Sequence, residues 1–126
     1  MIEDGRPIFV QIAEGIEASI IDGSLSEEER APSTNELAAF HRINPATAAK
    51  GINALVDDGV LYKRRGVGMF VADGARAALL ARRRQAFAAA YVDPLLAEAR
   101  RLGLGPDDVA GLISERTAGT TRKEPS

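Results

Sequence analysis

Four residues near the middle of the chain have side chains that could contact the edges of DNA bases. They are Asn44, Ala46, Thr47 and Lys50. An asparagine amide can pair with adenine, and the methyl groups of alanine and threonine can contact the methyl group of thymine. Lys50 supplies one cation, and none of the four is a carboxylate. Because the first turns of an α-helix reach base edges in the major groove, a helix starting here would be suited to reading DNA.

Two further groups could contact the DNA backbone. The first would open another helix and consists of Ser33, Thr34 and Asn35. Free backbone N–H groups at the start of a helix can bind a phosphate, although capping alone is the simpler role for Ser33. The second group consists of Lys63, which ends a predicted strand, and of Arg64, Arg65 and Gly66 in the basic turn that follows. Such a turn is usually only solvated, but beside a helix-turn-helix we favour contact with a backbone or a minor groove.

The charge of the chain is distributed unevenly. The net charge is −2 over 126 residues, which by itself argues against a nucleic-acid binder. Between Arg30 and Arg65, however, six basic residues stand against three acidic ones, and acidic residues such as those at 27–29 lie outside that stretch. A local basic face on an acidic protein can still bind DNA. The surplus is small, so charge alone does not decide the function.

The composition argues against several classes of protein. The chain has no cysteine and only one histidine, His41, so disulfides and thiolate or histidine-rich metal sites are excluded within one chain. We find no nucleophile–base pair and no glycine-rich phosphate loop, and we therefore expect no catalytic residue, no cofactor and no enzyme. No apolar run approaches the ~20 residues that span a bilayer, and the first residues lack signal-peptide character. We expect a cytoplasmic protein without a membrane partner.

Three helices are predicted to position the candidate residues. Isoleucines four apart predict the first, which lies between Pro7 and Gly23. The run 33–36 matches a capping box, with serine at the cap and glutamate three positions later, and it predicts a short helix to about Phe40. Its expected inward residues are Leu37, Ala38 and Phe40.

The third helix should begin at Asn44, because an asparagine cap followed by a proline is a strong start signal, and should run to about Asp58. One face of this helix carries Ala48, Gly51, Ile52 and Leu55, which should be buried. A glycine inside a helix costs ~1 kcal/mol of helix propensity. We therefore expect Gly51 to pack closely against a neighbouring helix.

A β-hairpin should follow the third helix. Residues 60–63 and 69–71 have strand propensity, and the basic turn lies between them. The predicted fold is mainly α with a small β-hairpin: a winged helix-turn-helix over residues 1–73, followed by a C-terminal helical region.

The C-terminal region should form a homodimer. From residue 74 the chain is rich in alanine, arginine and leucine, and Pro94 should kink or break its helix between Ala90 and Asp93. We predict dimerisation by residues 74–117 and a disordered tail over 118–126. The expected interface residues are Leu80, Phe87, Tyr91, Leu95 and Leu112. The alternative role for Phe87, Tyr91 and Leu95 is to line a pocket between protomers that binds a small-molecule effector. Arg82–Arg84 should decorate a solvated face unless they face DNA or a partner's carboxylates.

From Pro7 to Val71 the chain resembles the GntR family of bacterial winged-helix regulators. The resemblance is carried by Pro7 with Gln11-Ile12, by Asp22–Leu25, by Pro32–Ala38, by Ile43–Thr47, by Leu55–Gly59 and by Arg64–Val71. The Asn44-Pro45 pair and the short C-terminal part resemble the YtrA-type subfamily. That resemblance implies two extra dimerisation helices, no large effector domain and, in many such regulators, control of a transporter operon.

Two positions depart from the family pattern. Asn35 stands where an arginine that commonly touches DNA is usual, and Ala31 stands where a leucine is usual. The preferred operator is therefore expected to differ from the usual one. The resemblance implies a sequence-specific DNA-binding transcriptional regulator, with repression favoured, that binds an inverted-repeat operator in double-stranded DNA as a homodimer. The alternative is a winged-helix module used for protein contact without DNA.

Overall fold

The chain forms three helices, a hairpin and then a second set of helices. The computed structural model describes residues 5–123. The first elements are α1 (Ile8–Asp22), α2 (Thr34–His41), α3 (Pro45–Asp57), β1 (Leu61–Arg64) and β2 (Gly68–Val71). They are followed by α4 (Ala75–Phe87), a π-helical turn (Ala88–Val92), α5 (Asp93–Arg101) and α6 (Pro106–Lys123). The predicted fold class, mainly helical with a small β-hairpin and a C-terminal helical region, is confirmed.

The chain divides into two compact units, Met1–Arg82 and Arg83–Ser126. The sequence places this boundary earlier, between residues 73 and 74. In the structure, Ala75 and Leu79 on the first turns of α4 are buried in the core of the first unit, because one side of these turns is apolar. The start of α4 therefore belongs structurally to the winged helix-turn-helix unit.

The core of the first unit is built from the apolar stripes of α1 and α3. Its largest fully buried side chains include Ile20, Ile52, Leu55, Leu61 and Val71. Between the two helices, Gly51 faces α1 so closely that a Cβ there would lie 2.9 Å from the Phe9 carbonyl oxygen. The predicted close packing at Gly51 is confirmed, and it explains a glycine inside a helix.

The ends of α1 follow their sequence signals closely. Pro7 lies at the N-cap, and its carbonyl accepts hydrogen bonds from the Val10 and Gln11 N–H groups. Gly23 ends the helix with φ 89°, a left-handed conformation that glycine adopts without steric cost.

The prediction that Phe40 points inward is wrong. Its side chain is 81% exposed, and its ring lies edge-on to the ring of His41 with 4.9 Å between the centroids. The eight-residue α2 already fills its inward side with Leu37 and Ala38. Arg42 then turns the chain in a left-handed conformation, and Ile43 supplies the next apolar contact with the core.

The hairpin is joined by a third extended segment from the loop before α2. In the hairpin, Leu61 pairs with Val71 and Arg64 pairs with Gly68 in an antiparallel register. On the other side of β2, Arg30 forms a bridge with Phe70. Three backbone hydrogen bonds hold this segment: Glu28 N to Val71 O, Val71 N to Glu29 O and Ala31 N to Met69 O. The two-stranded hairpin is therefore extended at one edge by a short bridged segment that the sequence does not predict.

In the second unit, the helix around Pro94 widens instead of breaking. The Asp93 N–H donates to the carbonyl of Ala88, five residues back, and α5 starts with Pro94 in its first turn. A proline in a regular helix clashes with the carbonyl four residues earlier. The π-helical turn is the local adjustment that accommodates this proline, at the position where the sequence predicts a kink or break.

The last helix is longer than expected. The sequence predicts disorder over 118–126, whereas α6 continues to Lys123; residues 124–126 lie outside the described residues. The start of α6 is stabilised because the Gly105 N–H donates to Asp108 Oδ2 and two acidic residues occupy the first turn. Once a helix has started, each added residue gains a hydrogen bond. Within residues 5–123, no helix combines the length and apolar character needed to cross a membrane.

Candidate nucleic-acid interface

The start of α2 is held by the predicted capping box. Ser33 Oγ accepts a hydrogen bond from the Glu36 N–H at 3.0 Å, and Glu36 Oε1 accepts one from the Ser33 N–H at 2.8 Å. The hydrogen bond from the Ser33 backbone N–H to its carboxylate is the largest cause that lowers the pKa of Glu36, and the Ser33 side chain lowers it further. Both N–H groups are therefore engaged within the cap. Asn35 is exposed beside it and Thr34 is half-buried.

The start of α3 is held by a side-chain cap as well. Asn44 Oδ1 accepts a hydrogen bond from the Ala46 N–H at 2.7 Å, with Pro45 in the first turn. This bond uses the side-chain oxygen of Asn44 as acceptor, so the cap does not require the amide NH₂ group of that side chain. Of the two groups that would pair with adenine, the amide nitrogen is thus the one not committed to the cap.

The outward side of α3 carries the remaining candidate residues. Ala46 and Lys50 are exposed and Thr47 is half-buried, while Ala48, Gly51, Ile52 and Leu55 lie in the core. The predicted division of α3 into a buried and an outward side is confirmed. Lys50 Nζ lies 4.4 Å from the centroid of the Phe9 ring, a cation–π contact that orients the ammonium group towards the start of α1.

The basic residues of the wing divide between the two faces of its sheet. Alternation along β1 places Lys63 on the same face as buried Leu61, and it places Arg64 on the opposite face with Tyr62. Arg64 is engaged there: its guanidinium carbon lies 4.1 Å from the centroid of the Phe70 ring, and Nη2 donates to the Tyr62 hydroxyl at 3.4 Å.

Lys63 and Arg65 are both exposed, and within residues 5–123 neither side chain has a hydrogen bond or ion pair to the protein. Arg65 begins the turn, and Gly66 follows with φ 76°, which glycine adopts without steric cost. The turn is closed by a hydrogen bond of 2.9 Å from the Val67 N–H to the Arg64 carbonyl. Of the three basic wing residues, Arg65 thus has the position and the freedom best suited to a phosphate.

Arg30 is a candidate that the sequence analysis does not identify. Its Nε donates to the Val67 carbonyl at 3.2 Å, so its guanidinium lies along the wing turn. A Cβ at Gly68, where φ is 140°, would come within 2.9 Å of that nitrogen. Gly68 is the one local signal of this approach. No local pattern indicates that the group packed against Gly68 is the guanidinium of Arg30, 38 positions earlier.

The candidate dimer residues fall in both units. Leu80 lies in the first unit, where it is partly exposed next to buried Leu79. The other four, which are exposed in the second unit, are Phe87, Tyr91, Leu95 and Leu112. Of the arginine run, Arg82 pairs with Glu17 at 3.4 Å, and Arg83 and Arg84 are exposed.

Comparison with known proteins gives a consistent result. The family model for bacterial regulatory proteins of the gntR family matches residues 8–71, half of the chain. The HTH-type transcriptional repressor YtrA of Bacillus subtilis is 28% identical over 74 residues, which are 59% of this chain and 57% of YtrA. The matched part spans at most 60% of the length of the first curated relatives.

Two solved structures extend the comparison. A GntR-family regulator from Bacteroides thetaiotaomicron is 29% identical, with a TM-score of 0.72, covering 90% of this chain and 98% of that one. The DNA-binding domain of AraR, solved in complex with operator ORX1, is 33% identical with a TM-score of 0.52, covering 57% and 87%. The prediction of a regulator, not an enzyme, is confirmed by the family. This chain belongs to the GntR family of bacterial regulatory proteins.

Proposed function

We propose that this protein is a transcriptional repressor that binds an inverted-repeat operator in double-stranded DNA as a homodimer. The main support is the outward side of α3, which carries exposed Ala46 and Lys50 beside the Asn44 cap and no carboxylate in its first turns. Small and hydrogen-bonding side chains at the start of such a helix suit base edges in the major groove. The wing adds Lys63 and Arg65, whose charges are available to DNA phosphates.

The relatives support the same function. AraR was solved with its DNA-binding domain on an operator, and that domain matches 57% of this chain. YtrA and NagR of Bacillus subtilis are both named transcriptional repressors. By this likeness we infer that this chain binds operator DNA and that the sign of regulation is repression. The assignment of α3 as the helix that reads DNA is supported by its outward side chains.

The dimer is supported by the apolar surface of the second unit. A groove of about 430 Å³ between α5 and α6 is lined by Leu95, Leu102, Leu112 and Ile113, among others. Tyr91 is 67% exposed, and its ring lies 5.5 Å from that of Phe87. Large apolar patches on a small protein usually mark a contact surface. A second copy of the chain fits this surface, because a two-fold dimer presents two recognition helices to a symmetric operator.

A mobility shift with the DNA upstream of the protein's own gene tests this function. We expect a complex that weakens steeply between 50 and 200 mM salt, by on the order of a thousandfold or more if several phosphates are contacted. A footprint should cover two half-sites about one helical turn, ~34 Å, apart. Absence of a shift with upstream and unrelated DNA would favour a protein-contact module instead, and one asymmetric half-site would contradict the dimer.

A further inference from the structure

The outer face of the wing holds an acidic residue directly beside Arg64. Tyr62 donates a hydrogen bond from its hydroxyl to Glu28 Oε1 at 2.5 Å, and Arg64 Nη2 in turn donates to the same hydroxyl. The distance from Arg64 Nη2 to Glu28 Oε1 is 3.9 Å. With the ring of Phe70 beneath it, the guanidinium of Arg64 is held between an aromatic face and a carboxylate.

The backbone at Glu28 is unusual as well. Its φ is 67°, in the left-handed region that residues other than glycine, asparagine and aspartate seldom adopt. The Glu28 N–H donates to the Val71 carbonyl at 2.8 Å, which fixes this conformation at the edge of the sheet. A glycine would adopt the same φ without strain. Strained positions cluster where they serve function, and here the strained residue carries the counter-charge of Arg64.

We propose that Glu28 is a built-in competitor of DNA phosphate for Arg64, and that it sets how tightly the wing grips DNA of any sequence. The inference rests on the proposed DNA-binding function. In the free protein the carboxylate occupies the place beside the guanidinium where a phosphate would otherwise bind. When the wing meets DNA, Arg64 exchanges one anion for another, and Glu28 is left unpaired near a negatively charged backbone. Both effects weaken binding, and neither depends on base sequence.

Anisotropy titration of a labelled upstream duplex and a scrambled duplex tests the proposal with the full-length protein. Glu28→Gln should bind both duplexes about two- to fivefold more tightly than the wild type, the range expected from an exposed ion pair. Glu28→Gly, which also relieves the backbone, should show the same gain. The matched control is Glu29→Gln, one residue away, whose carboxylate accepts a hydrogen bond from the Ser26 N–H and does not contact Arg64. Its affinity should stay close to that of the wild type.

A double-mutant cycle separates this role from a general effect of charge. In an Arg64→Ala background, Glu28→Gln should change affinity by less than half as much as it does in the wild type. Equal gains from Glu28→Gln and Glu29→Gln, or an undiminished gain without Arg64, would overturn the proposal. If the wild-type protein binds neither duplex at low salt, the DNA-binding function itself fails. If it binds and Glu28→Gln gains nothing, only the role of Glu28 fails.

Discussion

Gly51 of α3 and the carbonyl oxygen of Phe9 in α1 lie so close that one added methyl group would stand 2.9 Å from that oxygen. The Ile12 side chain would lie at 3.2 Å on the same side. Among the glycines of α1 and α3, Gly51 marks the closest contact between the two helices. This contact sets the distance between α1 and α3, the candidate recognition helix. A larger residue at position 51 would push α3 outwards.

Gly51→Ala should therefore destabilise the protein, although alanine has the higher helix propensity. Overpacking against backbone costs about 1–3 kcal/mol. The matched control is Gly15→Ala in α1, where a Cβ would meet nothing within 4 Å. That change should stabilise by about 0.5–1 kcal/mol. Urea unfolding of both variants measures the difference, and a Gly51→Ala variant as stable as Gly15→Ala would show that α1 and α3 separate freely.

Substitutions on α3 and on the wing should affect DNA binding differently. Losing a base contact through Thr47→Ala or Lys50→Ala should cost about 1–3 kcal/mol and relax the preference at one operator position. Losing a phosphate contact through Arg65→Ala should weaken binding to all DNA and lower the salt slope by about one unit. Selection from a random pool and a salt titration measure the two effects. Wild-type binding by both α3 variants would mean that α3 does not read the operator.

Truncation should be made after Arg82, not after the hairpin. Ending the chain near residue 72 would remove Ala75 and Leu79 from the core of the first unit, and the product should unfold more easily. A fragment ending at Arg82 keeps both residues and lacks the exposed apolar surface of the second unit. We expect a folded monomer by light scattering and circular dichroism, with poor operator affinity. A dimeric fragment would place the interface in the first unit.

Glu27 should make the stability of the first unit dependent on pH. Its carboxylate accepts hydrogen bonds from the backbone N–H groups of Gly74 and Arg76 at the start of α4, and these bonds lower its pKa below the usual 4.5. A carboxyl group with a lowered folded-state pKa stabilises the fold above its unfolded pKa and loses that contribution as pH falls.

The difference in unfolding free energy between wild type and Glu27→Gln should therefore be largest near pH 7. It should shrink as the pH drops below about 4.5. Urea titrations at a series of pH values measure this difference. A difference that stays constant from pH 7 to pH 3 would show that the carboxylate does not hold α4 in place.

The sequence predicts those features whose signals lie close together along the chain. The capping box at Ser33, the asparagine cap at Asn44 and the buried side of α3 each depend on residues within about three turns of helix, and each is present in the structure. Gly51 correctly predicts a closely packed neighbour, although the sequence does not identify that neighbour as Phe9.

The features that the sequence misses depend on contacts between distant residues. Arg30 reaches the wing turn, and Glu28 reaches Tyr62 across 34 positions, so no local pattern reveals either contact. Helical spacing alone predicts that the Phe40 side chain faces the core. In the structure, the left-handed turn at Arg42 lets Ile43 supply the apolar contact instead.

The bridge between Arg30 and Phe70 also has a kinetic consequence. It joins residues 40 positions apart, and the loop it closes contains all of α2 and α3. Closing a flexible loop of that length would cost ~3 kcal/mol of chain entropy, and the cost falls if the enclosed helices are already packed. During folding, the bridged segment at Arg30 should thus join the hairpin after the helices have packed. In hydrogen exchange, the amides of Ala31 and Val71 should open to solvent before those in the middle of α3.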